Sequence, residues 1–256
     1  MTTVNPNFHN LPRLFIEQPL AAGRPVALGA FQANYLGNVM RLGAGDEVLL
    51  FNGGDGEWTA WIGRIGKKKG DVVVKEQTRP QEQEAGPWLV FAPLKKPRTA
   101  FLVEKATELG VFRLCPVFTR HTNSARINPE RMRAHAIEAA EQCRRLSVPD
   151  IEAIKPLAQF IDAWPHERRF LVLDETGVGA AIAEHLSSLK VASSGLSFDC
   201  GFLCGPEGGF EEGELDALRA LDFASRVDLG PRILRAETAA LSALACWQAF
   251  ATNERN

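Results

Sequence analysis

Hydrophobic residues in this chain follow two rhythms, and the change falls near residue 80. From 11 to about 78 they come in short runs broken by glycine: PVAL, EVLLF, EWTAWIGRIG and DVVVKEQ. Asn52-Gly53-Gly54-Asp55-Gly56 between EVLLF and EWTAWIGRI is a hairpin signal, and Gly66 to Gly70 around three lysines marks a second reversal before the valine run. This part predicts a small β-barrel or sandwich. The stretch RPQEQEAGP, 79–87, is polar, bounded by prolines and without period, which predicts a linker. The domains are therefore divided there, into 1–80 and 86–256.

From Trp88 onward, strand alternates with helix. Strands are expected at 88–94, 112–118, 168–174, 200–205 and 225–230, with helices at 98–109, 129–146, 179–189, 211–221 and 235–250. Near-continuous apolar strands separated by amphipathic helices predict an α/β fold with a mainly parallel sheet covered on both faces. Asn128-Pro129 reads as a helix start with proline at its first position. The last helix is apolar almost all round, so it belongs in the core or in a subunit interface.

Composition refines this picture in three ways. With 45% hydrophobic and 23% charged residues among 256, the chain reads as a globular protein. It has no apolar run of membrane-spanning length and no secretory leader at MTTVNPNFHN, so the expectation is a cytoplasmic protein without a membrane partner. Five cysteines without CxxC spacing and five scattered histidines give neither a disulfide framework nor a metal site. The net charge of -2 hides a strong asymmetry: residues 95–145 carry 11 Lys+Arg against 5 Asp+Glu, and residues 146–256 carry 9 against 17. Such a basic segment is either an electrostatic footprint for phosphate backbones or a solvated surface.

In open parallel sheets, ligands bind beyond the carboxyl ends of the strands. Three expected strands run into glycine-bearing loops there: LVLDETGVG, FLCGPEGGF and VDLGPRILRAET. Such turns let the backbone approach a nucleotide closely and offer it N–H donors, although each alone is also an ordinary strand-to-helix turn. Neither GxGxxG after an early strand nor GxxxxGK[ST] occurs, which excludes the common dinucleotide and P-loop designs; HExxH and GxSxG are absent as well.

Four segments in order, EKATELGV (104–111), EAAEQCRR (138–145), LCGPEGGFEEGEL (203–215) and LGPRILRAETAAL (229–241), resemble the bacterial 16S ribosomal RNA (uridine-N3) methyltransferase family, the RsmE type of the knotted SpoU-TrmD (SPOUT) class. NLPRLF near the start resembles that family's opening strand, so the likeness spans the chain. Two places depart from it: Thr119-Arg120-His121-Thr122 stands where the family commonly has Glu-Arg-Ser, and Arg144-Arg145 adds a charge to its EQCGR. The resemblance implies an N-terminal PUA-like β-barrel for RNA, a C-terminal methyltransferase domain closed by a trefoil knot, and a homodimer built on the C-terminal helices. It implies S-adenosylmethionine as cofactor and methylation of uridine N3 in 16S ribosomal RNA within the small subunit. The rival readings are a knotted methyltransferase with another RNA target, such as a tRNA, and a non-catalytic RNA-binding assembly factor.

Carried onto this sequence, the resemblance places the cofactor against Leu203, Gly205, Pro206, Gly208 and Gly209, against Leu229, Gly230, Ile233 and Leu234, and against Leu173 with Glu175 and Thr176. Methylating N3 of uracil requires loss of the imide proton, so a base or cationic donors are needed beside the cofactor. Arg235 is the candidate for a uracil carbonyl, and Glu207 and Glu237 are the nearest carboxylates; either glutamate can instead fix a loop or cap a helix. Arg13, Lys67, Lys68, Lys69, Lys95, Lys96, Arg98, Arg120, Arg126, Arg144 and Arg145 are the candidate RNA contacts. The target base has to be splayed out of any stack for its N3 to be reached.

Overall fold

The computed structural model describes residues 10–82, 84–122, 127–174, 176–192 and 200–252. By internal contacts the chain divides into two compact units, Met1–Gln83 with Ala140–Val148, and Glu84–Ala139 with Pro149–Asn256.

The first unit holds a five-stranded sheet of β1 (Arg13–Phe15), β2 (Pro25–Leu28), β3 (Glu47–Phe51), β4 (Glu57–Ile65) and β5 (Gly70–Arg79), in the order β1-β3-β4-β5-β2. β1 runs parallel to β3 and the remaining pairs are antiparallel. Both expected hairpins form. In the β3–β4 turn Asn52 Oδ1 accepts from the N–H of Gly54 at 2.9 Å and of Asp55 at 2.7 Å, the side-chain mimicry of a backbone turn that asparagine favours. Gly56 closes that turn at φ 77°, where a β-carbon would lie 2.3 Å from Arg79 O. Alternate strand residues, among them Val26, Val48, Leu50, Ile62, Val72 and Val74, bury one face of the sheet.

A helix, α1 (Ala30–Asn34), continues as a π-helical turn over Tyr35–Val39 and adds Ala33 and Leu36 to that core. The sequence pattern did not indicate it. Ten residues containing Gly37 are marginal as a helix by themselves; burial of Ala33 and Leu36 and the Gln32 side chain, which accepts from Gly29 N–H at 3.0 Å and donates to Phe15 O at 2.9 Å, hold them.

Ala140–Val148 packs into the same unit through a buried ionic cluster. Glu57, 0% exposed, accepts from Arg13 Nε at 2.6 Å and from Arg79 Nη2 at 2.9 Å. Arg79 Nε adds a second bond to Glu57 Oε1 at 3.1 Å, and both guanidinium groups also donate to backbone carbonyls: Arg13 to Ala140 O at 2.6 Å and Arg145 O at 2.5 Å, Arg79 to Arg144 O at 2.9 Å. Arg13 also lies 3.6 Å over the Phe51 ring. Arg13, expected at an RNA surface, is thus a buried side chain of this cluster, and Arg145, expected there too, is buried and gives the cluster its backbone carbonyl. A buried guanidinium has to be paired and hydrogen-bonded, which leaves Arg13 facing inward.

The second unit contains β6 (Trp88–Phe91), α2 (Lys96–Glu108), β7 (Arg113–Phe118), α3 (Pro129–Cys143), β8 (Asp150–Ile151), β9 (Lys155–Pro156), α4 (Leu157–Asp162), β10 (Arg169–Leu173), β11 (Ala180–Ala181), α5 (Ile182–Ala192), β12 (Cys200–Cys204), α6 (Glu212–Arg219), β13 (Ala224–Asp228) and α7 (Ala236–Thr252), the end of α3 belonging by its contacts to the first unit. Its sheet is parallel throughout, in the order β11-β13-β10-β12-β6-β7-β8, with β9 also paired to β7. On one face Phe160, Trp164, Phe170, Val172 and Leu203 form an apolar cluster. Gly201 lets Trp164 lie on the sheet, since a β-carbon there would meet the indole at 2.3 Å. α7 packs on α2, α5 and β12 with Ala240, Ala243, Leu244 and Trp247 buried, while Thr238, Ala245, Gln248 and Ala249 are exposed. No helix among the described residues is long and apolar enough to cross a membrane.

Candidate functional site

β13, β10 and β12 are neighbours, and their carboxyl ends are level: Leu173 is in register with Cys204 on one side and Val227 on the other. Three loops far apart in sequence therefore leave the sheet side by side. Between them lies a cleft of about 680 Å³, inside the usual range for small-molecule sites.

Each loop contributes differently. After β12, the N–H of Gly209 bonds Pro206 O at 3.0 Å and Gly209 takes φ 72°, so Pro206 to Gly209 is a tight turn presenting its backbone to the cleft. At Gly205 a β-carbon would fall 2.8 Å from the Phe210 ring, so only glycine lets that ring close against the main chain. The turn feeds α6, whose Glu214 accepts from the N–H of Glu211 at 3.0 Å and of Arg120 at 2.9 Å. After β13, Asp228 Oδ1 accepts from Gly230 N–H at 2.9 Å, Gly230 takes φ 110°, and Leu229, Ile233 and Leu234 supply apolar wall. Ile233 is 82% exposed, an apolar side chain at the rim. After β10, Asp174 pairs with Arg226, which also donates to Thr176, and Thr176 N–H bonds Asp174 Oδ1 at 2.9 Å.

The cleft brings together Leu173, Thr176, Gly205, Pro206, Gly209, Leu229, Gly230, Ile233 and Leu234, with Glu207 and Arg235 among its lining. Two residues expected there lie elsewhere. Leu203 is fully buried in β12 within the apolar cluster, one residue short of the strand end. Gly208 lies on the outer side of its turn, with His121 Cβ 3.4 Å from where its β-carbon would be. Glu175 falls outside the described residues, as does Arg126. Lys67, Lys68 and Lys69 are exposed at the β4–β5 tip, and Lys95, Lys96 and Arg120 are exposed in the second unit. Arg144 is partly buried, with φ 63°. Arg98 lines the cleft itself, paired with Glu207 and, through Nε at 3.6 Å, with Glu237.

Asp174, Arg226, Asp228 and Phe210 were not singled out in the sequence. An acidic residue closing an apolar strand, as in LVLD and RVD, is the signal that points to the two aspartates. Cys204 also borders the cleft, but burial pushes its thiol up to about 12, and it donates to Ala236 O at 3.1 Å. It is therefore a packing residue, not a nucleophile.

Comparison with known proteins decides the family. The model of an RNA methyltransferase domain matches residues 82–248, and that of an RNA methyltransferase PUA domain matches residues 32–75. This chain belongs to the RNA methyltransferase family. Among members, the ribosomal RNA small subunit methyltransferase E of Rickettsia conorii is 33% identical over 91% of this chain and 93% of its own, and that of Bacillus subtilis is 29% identical over 91% and 94%. A ribosomal RNA small subunit methyltransferase E from Neisseria gonorrhoeae, solved bound to S-adenosyl methionine, matches with TM-score 0.80 at 27% identity, covering 94% of this chain and 98% of its own. A Legionella pneumophila methyltransferase in complex with the same cofactor matches with TM-score 0.80 at 26% identity, covering 94% and 98%. In this RNA methyltransferase the PUA match falls on the sheet of the first unit, and the methyltransferase match spans the parallel sheet and all three cleft loops.

Proposed function

We propose that this protein transfers the methyl group of S-adenosylmethionine to N3 of a uridine in small-subunit ribosomal RNA. The observation that carries the reading is the convergence of three glycine-bearing loops at the level carboxyl ends of β13, β10 and β12. The residues suit the cofactor. Leu173, Leu229, Ile233 and Leu234 offer apolar surface to adenine, the turns at Gly205 and Gly230 offer backbone edges, and Asp174, Glu207 and Asp228 supply negative charge where an ammonium and a sulfonium are to be held. The cofactor, once bound, supplies an electrophilic methyl group on its sulfonium.

The chain has to strip or stabilise away the imide proton of the target. Arg235, exposed on the cleft wall and in no ion pair among the described residues, donates to a uracil carbonyl and stabilises the anion. Glu207, on the turn facing it, takes the proton. The exposed lysines at the β4–β5 tip and at the start of α2 hold phosphates, and the face of α7 left exposed joins a second copy, so that the protein acts as a cytoplasmic homodimer. Arg235→Ala and Glu207→Gln test the assignment: each lowers methyl transfer by roughly a hundredfold while cofactor still binds. Unchanged turnover removes the residue from the reaction. Mass mapping of ribosomal RNA from cells lacking the protein tests the target, with loss of one 3-methyluridine as the expected result.

A further inference from the structure

The cleft lining carries Asp174, Glu207 and Asp228, which suit an ammonium, yet the amino-acid end of the proposed cofactor carries a carboxylate as well. That carboxylate needs a cation. Three arginines line the cleft: Arg98, Arg232 and Arg235. Arg232 and Arg235 are exposed and make no ion pair among the described residues, whereas Arg98 is held from behind. Glu237, 13% exposed, faces its Nε at 3.6 Å, with the other carboxylate oxygen buried and without a hydrogen-bond partner among the described residues.

The backbone under Arg98 is fixed as well. Pro97 sets the first turn of α2, Arg98 N–H bonds Lys95 O at 2.8 Å, and Thr99 Oγ1 bonds Leu94 O at 3.0 Å. Glu207, which meets Nη1 of Arg98, is by contrast exposed on its turn, so its side chain can swing away without unpacking the core. Two carboxylates around one guanidinium leave the triad one charge negative. Of the two, Glu207 is the one able to leave, because a guanidinium forks its donors and can keep Glu237 on Nε while Nη1 takes another partner.

We propose that Arg98 is the receptor for the carboxylate of the cofactor's amino-acid portion, and that Glu207 occupies it as an internal stand-in until the cofactor arrives. The exchange keeps the charge count of the triad unchanged. It also releases Glu207 toward the target base, so cofactor binding and readiness of the proton acceptor become one event. This rests on the cofactor assignment above.

Calorimetric titration with two probes tests it: S-adenosylhomocysteine, which carries the carboxylate, and 5′-methylthioadenosine, which lacks the whole amino-acid portion. Arg98→Ala is expected to weaken S-adenosylhomocysteine by roughly ten- to a hundredfold and methylthioadenosine by less than about twofold. Arg98→Lys, which keeps the charge and not the fork, falls between. Glu207→Gln is expected to bind S-adenosylhomocysteine about threefold more tightly while losing methyl transfer, a pair of opposite effects that a merely structural residue does not produce. Equal weakening of both probes by Arg98→Ala and Arg98→Lys overturns the proposal, as does unchanged S-adenosylhomocysteine affinity with weakened RNA binding, which puts the guanidinium on a phosphate. A wild-type protein that binds neither probe sinks the cofactor reading itself and this inference with it.

Discussion

Glu57 carries its charge inside the first unit, and its environment says why it stays ionised there. Burial pushes the carboxyl up, but the hydrogen bonds from Arg79 and Arg13 and their positive charges outweigh burial and hold it below the usual carboxylate range. A depressed acid contributes stability that is complete above its ordinary value of 4.5 and is lost as pH falls through the lower folded value. Melting of the wild-type protein should therefore steepen its decline below about pH 4.5. Glu57→Gln should cost about 3–5 kcal/mol at neutral pH, because the buried guanidinium of Arg13 and the partly buried one of Arg79 lose their counter-charge, and should flatten the acid limb. A variant as stable as wild type at pH 7 would show that the carbonyls of Ala140, Arg144 and Arg145 suffice to hold Arg13 and Arg79. None of this was legible beforehand. Arginine in NLPRLF reads from sequence as surface charge, and the partners that bury it lie 44 and 127 residues away.

At the scale of elements, much more could be read. The five apolar strands from Trp88 onward, the intervening helices and the two glycine hairpins all appear where hydrophobic period and turn chemistry place them, because each is dictated by residues within its own span. What escaped depends on neighbours. α1 is held by the core it covers, and Leu203 lies in the expected strand but is buried in the apolar cluster and does not line the cleft. Glycines within elements carry similar tertiary information. Gly201→Ala should drive a methyl into Trp164 and destabilise the second unit by about 1–3 kcal/mol, seen as a lower denaturation midpoint with the cleft residues untouched. Gly205→Ala pushes on the Phe210 ring instead, and Phe210 lines the cleft. It should weaken S-adenosylhomocysteine binding by roughly tenfold at little cost in stability. If the two variants behaved alike, the distinction between a glycine that packs the sheet and one that shapes the site would fail.

For the whole molecule, the question is which charges meet RNA. Eleven basic side chains were candidates from sequence, and the structure sorts them by what they already touch. Arg13 and Arg145 are buried, Arg98 is engaged with two glutamates in the cleft, and Arg126 lies outside the described residues. Lys67, Lys68 and Lys69 at one hairpin tip, and Lys95, Lys96 and Arg120 around the methyltransferase sheet, are exposed. A side chain that neutralises a phosphate releases a counterion, so each contact adds about 0.7 to the slope of log affinity against log salt on single-stranded RNA. Replacing Lys67, Lys68 and Lys69 by alanine should reduce that slope by about 2, and so should replacing Lys95, Lys96 and Arg120. Cofactor affinity should not move in either triple variant, since none of the six lines the cleft. Arg13→Ala gives the contrasting pattern, a lowered melting temperature with the slope of the remaining folded protein preserved. A slope that stays constant through both triple substitutions would remove these surfaces from RNA binding and leave the arginines of the cleft as the phosphate contacts.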